Sequence, residues 1–233
     1  MEWPLHLHDL EFTVRESSRR KTVSLGIERD GRLLILAPQG TSRQTIEEFV
    51  RSRLGWVYGK LSRKTDLYRP APLREYVDGE GFLYAGRSYR LHRVNHSADG
   101  SALKLAGQWF ELLNSEVERG REHFIAWYTA QLEDWAQQQV IRLAPRLRRL
   151  PVNLRVTELG DRWGAASRTK SVTLHWRVAL LPRRIAEYVL VHELVHLEFH
   201  HHRAEFWQRL EVMLPDYIER KSWLALHGAD YDL

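Results

Sequence analysis

The chain has 233 residues, of which 43% are hydrophobic and 28% are charged, a balance typical of an ordinary globular protein. It contains no cysteine, which excludes a disulfide framework, a cysteine nucleophile, an iron–sulfur cluster held by thiolates and a zinc ribbon. The net charge of +5 permits contact with nucleic acid, nucleotides or an acidic protein surface but requires none of them. The first residues do not resemble a signal peptide, and no apolar stretch approaches membrane-spanning length, so we expect a cytoplasmic protein with no membrane partner.

The first hundred residues are rich in predicted strands. Apolar runs at residues 22–27 and 33–36 flank Asp30-Gly31, a dipeptide typical of a tight hairpin turn. Apolar residues at helical spacing predict a helix over residues 42–63. A second hairpin is expected over residues 81–94, and the sequence contains no recognisable internal repeat.

The second half is rich in predicted helices. A long amphipathic pattern predicts a helix over residues 116–143, which Pro145 ends. The remaining predicted elements are strands over 153–158 and 171–178, with a loop at 160–167 between them, and helices over 182–199, 204–213 and 216–226. We therefore predict an α+β fold, with a strand-rich region and one helix over residues 1–115 and a helix-rich domain over 116–233.

The sequence His192-Glu193-Leu194-Val195-His196 indicates a metal site. Two histidines four residues apart lie one turn apart on the same helix face, so their imidazoles can converge on one Zn²⁺. Glu193 can then accept a proton from a water molecule polarised by the metal. Apolar residues surround the motif on the predicted helix, and burying a glutamate with two histidines is costly unless a metal ion compensates.

A catalytic zinc site with three protein ligands requires one more donor. His200, His201 and His202 follow the motif, but none of them would reach the metal on an unbroken helix. We therefore expect the helix to end near His200 and the chain to turn back. We choose His202 as the third ligand, because it leaves the most chain for the reversal. His200 or His201 could replace or join His202, and a carboxylate from Glu211 or Glu219 is a further alternative.

Several motifs together resemble one known family, the YgjP-like metallopeptidases, which are related to the SprT-like and wider zincin groups. The matching segments are the loop at residues 162–167, the strand at 174–177, the helix at 191–197, the His-His-x-x-x-Phe-Trp run at 201–207 and Pro-Asp-Tyr at 215–217. Less specific matches lie in the N-terminal half, at residues 18–25, 36–38, 49–56 and 86–87. The resemblance covers nearly the whole chain.

The resemblance implies a minimal zincin-type metallopeptidase domain that cleaves a peptide or protein substrate. It carries the ligands of one catalytic zinc ion over to His192, His196 and His202, and the general base over to Glu193. The residues expected to contact the substrate are Arg162, Trp163, His175 and Tyr217. The chain departs from the family pattern where Ala165 and Ala166 replace Ser and Cys, where His201 replaces Asn, and where His175 replaces Asn.

Two other functions are compatible with the sequence. A zinc-activated water can also attack phosphorus, and Arg19, Arg20, Lys21, Arg51 and Arg53 could bind the phosphates of a nucleotide, as in a pyrophosphatase-type phosphohydrolase. Alternatively, the protein is a nucleic-acid or protein-binding module in which four protein ligands hold a structural zinc.

For the peptidase function, we expect the strand over 171–178 to be a sheet edge that could bind an extended peptide. The sequence indicates no oligomeric state.

Overall fold

The protein consists of two units, Met1–Pro70 and Ala71–Leu233. This division comes from a computed structural model that describes residues 2–7, 10–27, 32–55, 57, 74–160 and 162–233. The predicted boundary lay between residues 115 and 116. The two divisions differ because the strands that follow residue 80 share a hydrophobic core with the helices of the second half. The predicted α+β fold class is confirmed, with strands mainly in the first half and helices later.

The first unit is a four-stranded sheet with one helix. Its elements are β1 (Glu2–Leu7), β2 (Leu10–Ser17), β3 (Ser24–Ile27), β4 (Leu33–Pro38) and α1 (Arg43–Arg51). The strand order is β1-β2-β4-β3, with a parallel pair, β2 and β4, at the centre and antiparallel partners at both sides. The predicted pairing of residues 22–27 with 33–36 is confirmed as the antiparallel pair β3–β4, and the turn predicted at Asp30-Gly31 lies outside the described residues.

Apolar residues alternate with polar ones along the strands and recur at helical spacing in α1, so each strand and the helix bury one apolar face. Phe12, Val14 and Ile35 from the sheet and Ile46 and Val50 from α1 form one core and are fully buried. The side chain of Ser42 begins α1 by accepting a hydrogen bond from the Thr45 amide, as expected of an N-cap serine. The later part of the predicted helix, from residue 58 to 63, lies outside the described residues.

The second unit begins with a sheet of the same topology. Its strands are β5 (Gly81–Tyr84), β6 (Arg87–Val94), β7 (Leu103–Ala106) and β8 (Trp109–Leu113), in the order β5-β6-β8-β7. Its central pair, β6 and β8, is parallel and the outer pairs are antiparallel, as in the first unit. The two sheets therefore repeat one arrangement that the sequence does not reveal, because a sheet constrains only the alternation of apolar residues.

The helix α2 (Gly120–Leu143) packs on this second sheet through aromatic side chains. Phe82 stacks on Phe124 with their ring centroids 4.1 Å apart, and Phe110 meets Phe124 edge to face at 5.0 Å. All three rings are fully buried. This contact explains why β5–β8 belong to the second unit rather than to a separate N-terminal domain.

A three-stranded sheet precedes the motif helix. Its strands are β9 (Asn153–Thr157), β10 (Gly164–Ala166) and β11 (Ser171–His175), in the order β10-β11-β9. The loop predicted over 160–167 thus contains a strand, and the strand predicted over 171–178 ends at His175 in a short 3₁₀ helix, Trp176–Ala179. The expectation that residues 171–178 form a sheet edge is wrong, because β11 lies between β10 and β9, which are the two edge strands.

Three helices complete the second unit: α3 (Arg183–His196), α4 (Ala204–Met213) and α5 (Tyr217–His227). α3 packs against β10, α4 and α5. Within the described residues, no helix has the length and apolar character needed to span a membrane.

Candidate metal centre

The helix α3 places His192 and His196 on one face, one turn apart. Most of the helix is buried, including Val191, Leu194 and Val195 next to the two histidines. The apolar packing of these neighbours fixes the orientation of the helix, so the two imidazoles have little freedom to separate.

The chain leaves the helical conformation after His196 and returns with His202. The Nε2 atoms of the three histidines form a small triangle. His192 and His196 are 3.2 Å apart, and each lies 3.0 Å from the Nε2 atom of His202. The structure therefore brings together the three histidines that the sequence singled out.

This triangle fits a metal ion. Zinc–nitrogen bonds of about 2.0–2.1 Å in a tetrahedral site place ligand nitrogens about 3.3 Å apart. Burial is the largest cause that lowers the pKa of each of the three imidazoles, and it lowers the pKa of His192 to about 3. The rings are consequently neutral at pH 7, as metal ligands must be, and three neutral nitrogens that face one another have no better common partner than a cation.

Neighbouring groups orient the rings. The Nδ1 atom of His196 donates to the carbonyl oxygen of Phe199 at 2.9 Å, which leaves the Nε2 lone pair free for a ligand bond. The fully buried ring of Phe206, from α4, lies 4.5–4.9 Å from all three imidazole rings. Trp207 stacks on His202 at 5.5 Å and donates its Nε1 hydrogen to the carbonyl oxygen of His202 at 3.1 Å.

Glu193 lies under the strand β10 and is 7% exposed. Burial raises the pKa of its carboxyl group to about 7, although the charge of Arg162 opposes the rise. Gly164 of β10 packs directly over this side chain: a Cβ atom at residue 164 would lie 2.6 Å from Cγ of Glu193, closer than carbon atoms can approach. The absence of a side chain at Gly164 is thus what allows the carboxyl group to lie beside the histidines.

A cavity of about 500 Å³ opens onto Glu193 and the three histidines. Its other lining residues are His200, which follows α3, and five residues of β10 and the segments next to it in the chain: Arg162, Gly164, Ala165, Ala166 and Arg168. A second cavity of about 260 Å³ shares Arg162, Gly164, His192 and Glu193 with the first. Its remaining walls are apolar or aromatic, and they are formed by Trp163, Tyr188, Val189 and Leu224.

A family model for the YgjP-like metallopeptidase domain matches residues 21–227. The chain belongs to the YgjP-like metallopeptidase family. No curated protein matches the chain. Among solved structures, the crystal structure of the metallopeptidase zymogen of Pyrococcus abyssi abylysin is similar, with 23% identity over 45% of this chain and 98% of that chain. Its TM-score of 0.34 is too low to support an argument about the fold.

The two cavities of this YgjP-like metallopeptidase contain some of the predicted substrate-binding residues. Arg162 lines both cavities, and Trp163 lines the smaller one, where its ring also lies under the guanidinium of Arg177 at 5.6 Å. Tyr217 stacks on Trp207 at 5.7 Å and reaches His202 only through that ring. Tyr217 thus supports a histidine and lines neither cavity.

The structure does not place His175 in the cleft of the YgjP-like domain. The side chain is 2% exposed, and its Nε2 atom lies 2.6 Å from Oε1 of Glu158 while its Nδ1 atom accepts from the Arg177 amide. Glu158 also accepts from Nε1 of Trp176 at 2.9 Å. His175 is the buried residue that caps the start of the 3₁₀ helix after β11. The structure therefore gives it a structural position, where the sequence had predicted a contact with the substrate.

The alternative ligands lie outside the histidine triangle. Among the described residues, the donor atoms that lie within 4.8 Å of one another at this site come from His192, His196 and His202 alone. His200 lines the larger cavity without joining the triangle, and Glu219 instead accepts from Arg184 at 2.6 Å. Glu211 is exposed on α4.

Sequence reasoning missed the roles of Gly164, Arg168 and Phe206. Gly164 belongs to the Arg-Trp-Gly loop of the family resemblance, which was the signal that its small size matters. Phe206 belongs to the matching Phe-Trp pair, and its contact with all three imidazoles explains why an aromatic residue is needed there. Arg168 lies outside these motifs and could be found only from the structure.

Proposed function

We propose that this protein is a zinc-dependent metallopeptidase in which His192, His196 and His202 bind one catalytic zinc ion and Glu193 is the general base. The observation that carries the proposal is the convergence of three neutral imidazole nitrogens beside a buried carboxyl group at the wall of a cavity. Membership of a metallopeptidase family supports peptides as the substrate class. An all-histidine donor set in near-tetrahedral spacing supports zinc as the ion.

The residues have separate tasks in peptide hydrolysis. His192, His196 and His202 would hold the zinc ion, which when bound would supply Lewis-acid chemistry and favour deprotonation of water near neutral pH. Glu193 accepts one proton from the attacking water molecule as the new carbon–oxygen bond forms. It then delivers that proton to the amide nitrogen as the carbon–nitrogen bond breaks. Trp207 and Phe206 hold the histidine rings in place during both steps.

The edge of β10 is the surface on which we propose that an extended peptide binds. Gly164, Ala165 and Ala166 line the larger cavity beside Glu193 and the histidines, and the outer side of β10 has no strand partner among the described residues. An edge strand presents unpaired backbone groups that an added strand can bind. The proposal moves the expected peptide-binding edge from β11 to its neighbour.

Glu193→Gln in the zinc-loaded full chain tests the proposal. We expect hydrolysis of a mixed peptide library to fall by at least about a thousandfold, because the amide cannot accept the proton, while the zinc content stays at one per chain. Glu205→Gln, at an exposed glutamate of α4, is the matched control and should retain full activity. Wild-type rates in Glu193→Gln would exclude Glu193 as the base.

The two alternatives predict different results in the same preparation. A structural zinc requires four protein ligands, whereas His200 and His201 lie outside the triangle, so X-ray absorption should report three nitrogen ligands and one light-atom ligand from solvent. A nucleotide phosphohydrolase would release phosphate or pyrophosphate from nucleoside triphosphates. Four of the five basic residues considered for that role are exposed and all belong to the first unit, whereas the histidines belong to the second.

A further inference from the structure

Two arginines border the larger cavity next to β10. Arg162 precedes the strand by two residues and Arg168 follows it by two, and both line the cavity that contains Glu193 and the three histidines. Both side chains are exposed, so they are accessible to a bound molecule. A substrate that lies along β10 therefore has a guanidinium group near each end of the segment that passes the metal centre.

Neither guanidinium group has an ion-pair partner within the parts of the chain that the structure describes, although the charge of Arg162 acts on Glu193. Neither makes a salt bridge or a side-chain hydrogen bond with another described residue. Arginines of the neighbouring helices behave differently: Arg184 pairs with Asp216, Arg209 with Glu198 and Arg220 with Glu187. Among the described residues that line the two cavities, Glu193 is the sole carboxylate.

The imbalance of charge favours an anionic partner. Arginine binds carboxylates through two parallel hydrogen bonds, which are stronger than neutral hydrogen bonds and fix the geometry of the pair. A carboxylate that enters the cavity would meet Arg162 or Arg168, and a lysine or arginine of the substrate would be repelled by both. The site therefore discriminates by charge as well as by shape.

We propose, on the basis of the peptidase function above, that the preferred substrates carry a carboxylate close to the scissile bond and that Arg162 and Arg168 bind it. This carboxylate is either the side chain of an aspartate or glutamate or the free C-terminus of a short peptide. The two sources present the same group to the arginines, and the substrate pairs below distinguish them.

Pairs of peptides that differ in one group test the charge preference. In the first set of pairs, one peptide carries Glu and the other Gln at a single position, and each position within two residues of the scissile bond is tested in turn. In the second kind of pair, one peptide has a free C-terminus and the other a C-terminal amide. We expect the zinc-loaded wild-type enzyme to show a kcat/KM about tenfold higher for the acidic member of at least one pair. The pair that shows the preference identifies the source of the carboxylate.

Substitution of the two arginines tests the assignment. Arg162→Gln and Arg168→Gln should each reduce the ratio of kcat/KM for the acidic and neutral peptides by about threefold or more, and the charge reversal Arg168→Glu should favour a lysine peptide. Arg155→Gln is the matched control, because Arg155 is an exposed arginine on β9 that lines neither cavity, and it should keep the wild-type ratio.

Three outcomes overturn the inference in distinguishable ways. Equal kcat/KM values for both members of every pair in the wild type refute the carboxylate preference and leave the peptidase function intact. A preference that survives in both Arg→Gln variants assigns it to other residues. Hydrolysis of no peptide by zinc-loaded protein refutes the peptidase function, and this inference with it. Melting temperatures of the variants exclude misfolding as the cause of a changed ratio.

Discussion

Replacing Gly164 with alanine should displace Glu193 without removing any metal ligand. The added Cβ atom would lie 2.6 Å from Cγ and 3.0 Å from both Cδ and Oε1 of Glu193, whereas ordinary contacts begin near 3.4 Å. The glutamate is buried at 7% exposure, so it must move by about 1 Å together with its surroundings. A displacement of that size at a catalytic group lowers the rate by about a hundredfold, which corresponds to about 2.7 kcal/mol of transition-state stabilisation.

Activity and zinc affinity must be measured on the same protein. We expect kcat/KM for peptide hydrolysis to fall by about a hundredfold in Gly164→Ala, with a zinc dissociation constant within about threefold of wild type. Gly26→Ala is the matched control, because Gly26 is also a strand glycine, and its added Cβ would approach no atom closer than 3.9 Å. Wild-type activity in Gly164→Ala would show that the position of Glu193 relative to β10 does not control the chemistry.

Three further predictions follow from contacts around the site. In metal-free protein burial raises the pKa of Glu193 to about 7, so the folded state is stable with a protonated carboxyl group at pH 4.5 and below and loses stability as pH rises through about 7. The free energy of unfolding of Glu193→Gln, measured by chemical denaturation, should therefore exceed that of wild type by about 3 kcal/mol at pH 8 and by almost nothing at pH 4. Trp207→Phe removes the hydrogen bond to the His202 carbonyl, and zinc titration should show about tenfold weaker binding; unchanged affinity would contradict this role. His175→Ala should lower the free energy of unfolding by about 2–4 kcal/mol with kcat/KM nearly unchanged, because the ring is buried and accepts or donates hydrogen bonds at both nitrogens; a selective loss of activity would show that His175 acts in the cleft.

Most elements of the fold could be predicted because their apolar periodicity is long and regular. The predicted helix over 116–143 appears as a 3₁₀ turn from Asn114 to Arg119 followed by α2, and the helices predicted near 204–213 and 216–226 appear as α4 and α5. Local signals were sufficient here, since α2 and α4 each bury apolar residues at helical spacing, α5 half-buries Tyr217, Trp223 and Leu224, and a proline marks two of the ends. The boundary of the second unit was not predictable in this way, because it depends on the contact between Phe82 and Phe124, which are distant in sequence.

The short strand β10 shows where sequence patterns fail. Three residues, Gly164 to Ala166, provide too few positions for an alternating pattern, and glycine and alanine have low strand propensity. Their strand conformation comes from pairing with β11. Because β10 was not predicted, the edge of the sheet was assigned to the wrong strand.

The residues of the candidate site were predictable to different degrees. His192 and His196 are four residues apart and share one helix face, so their convergence could be predicted from helix geometry alone. Glu193 points about 100° away from His192 on the helix, and its position over the histidines depends on the packing of Gly164 of β10. The return of His202 depends on the end of α3 and the start of α4. The length of chain needed for the reversal favoured His202, but it left His200 and His201 open as alternatives. His175 shares its residue type with the ligands, and only its burial in the structure shows that it belongs to the core.

The central claim is that His192, His196 and His202 together bind one metal ion, and a competition titration with a chromophoric zinc chelator tests it most directly. Wild-type protein should bind one zinc ion per chain, His202→Ala should bind at least about a hundredfold more weakly, and the adjacent substitution His201→Ala should leave the affinity unchanged. Failure of the wild type to bind zinc, or wild-type affinity in His202→Ala, would contradict the account.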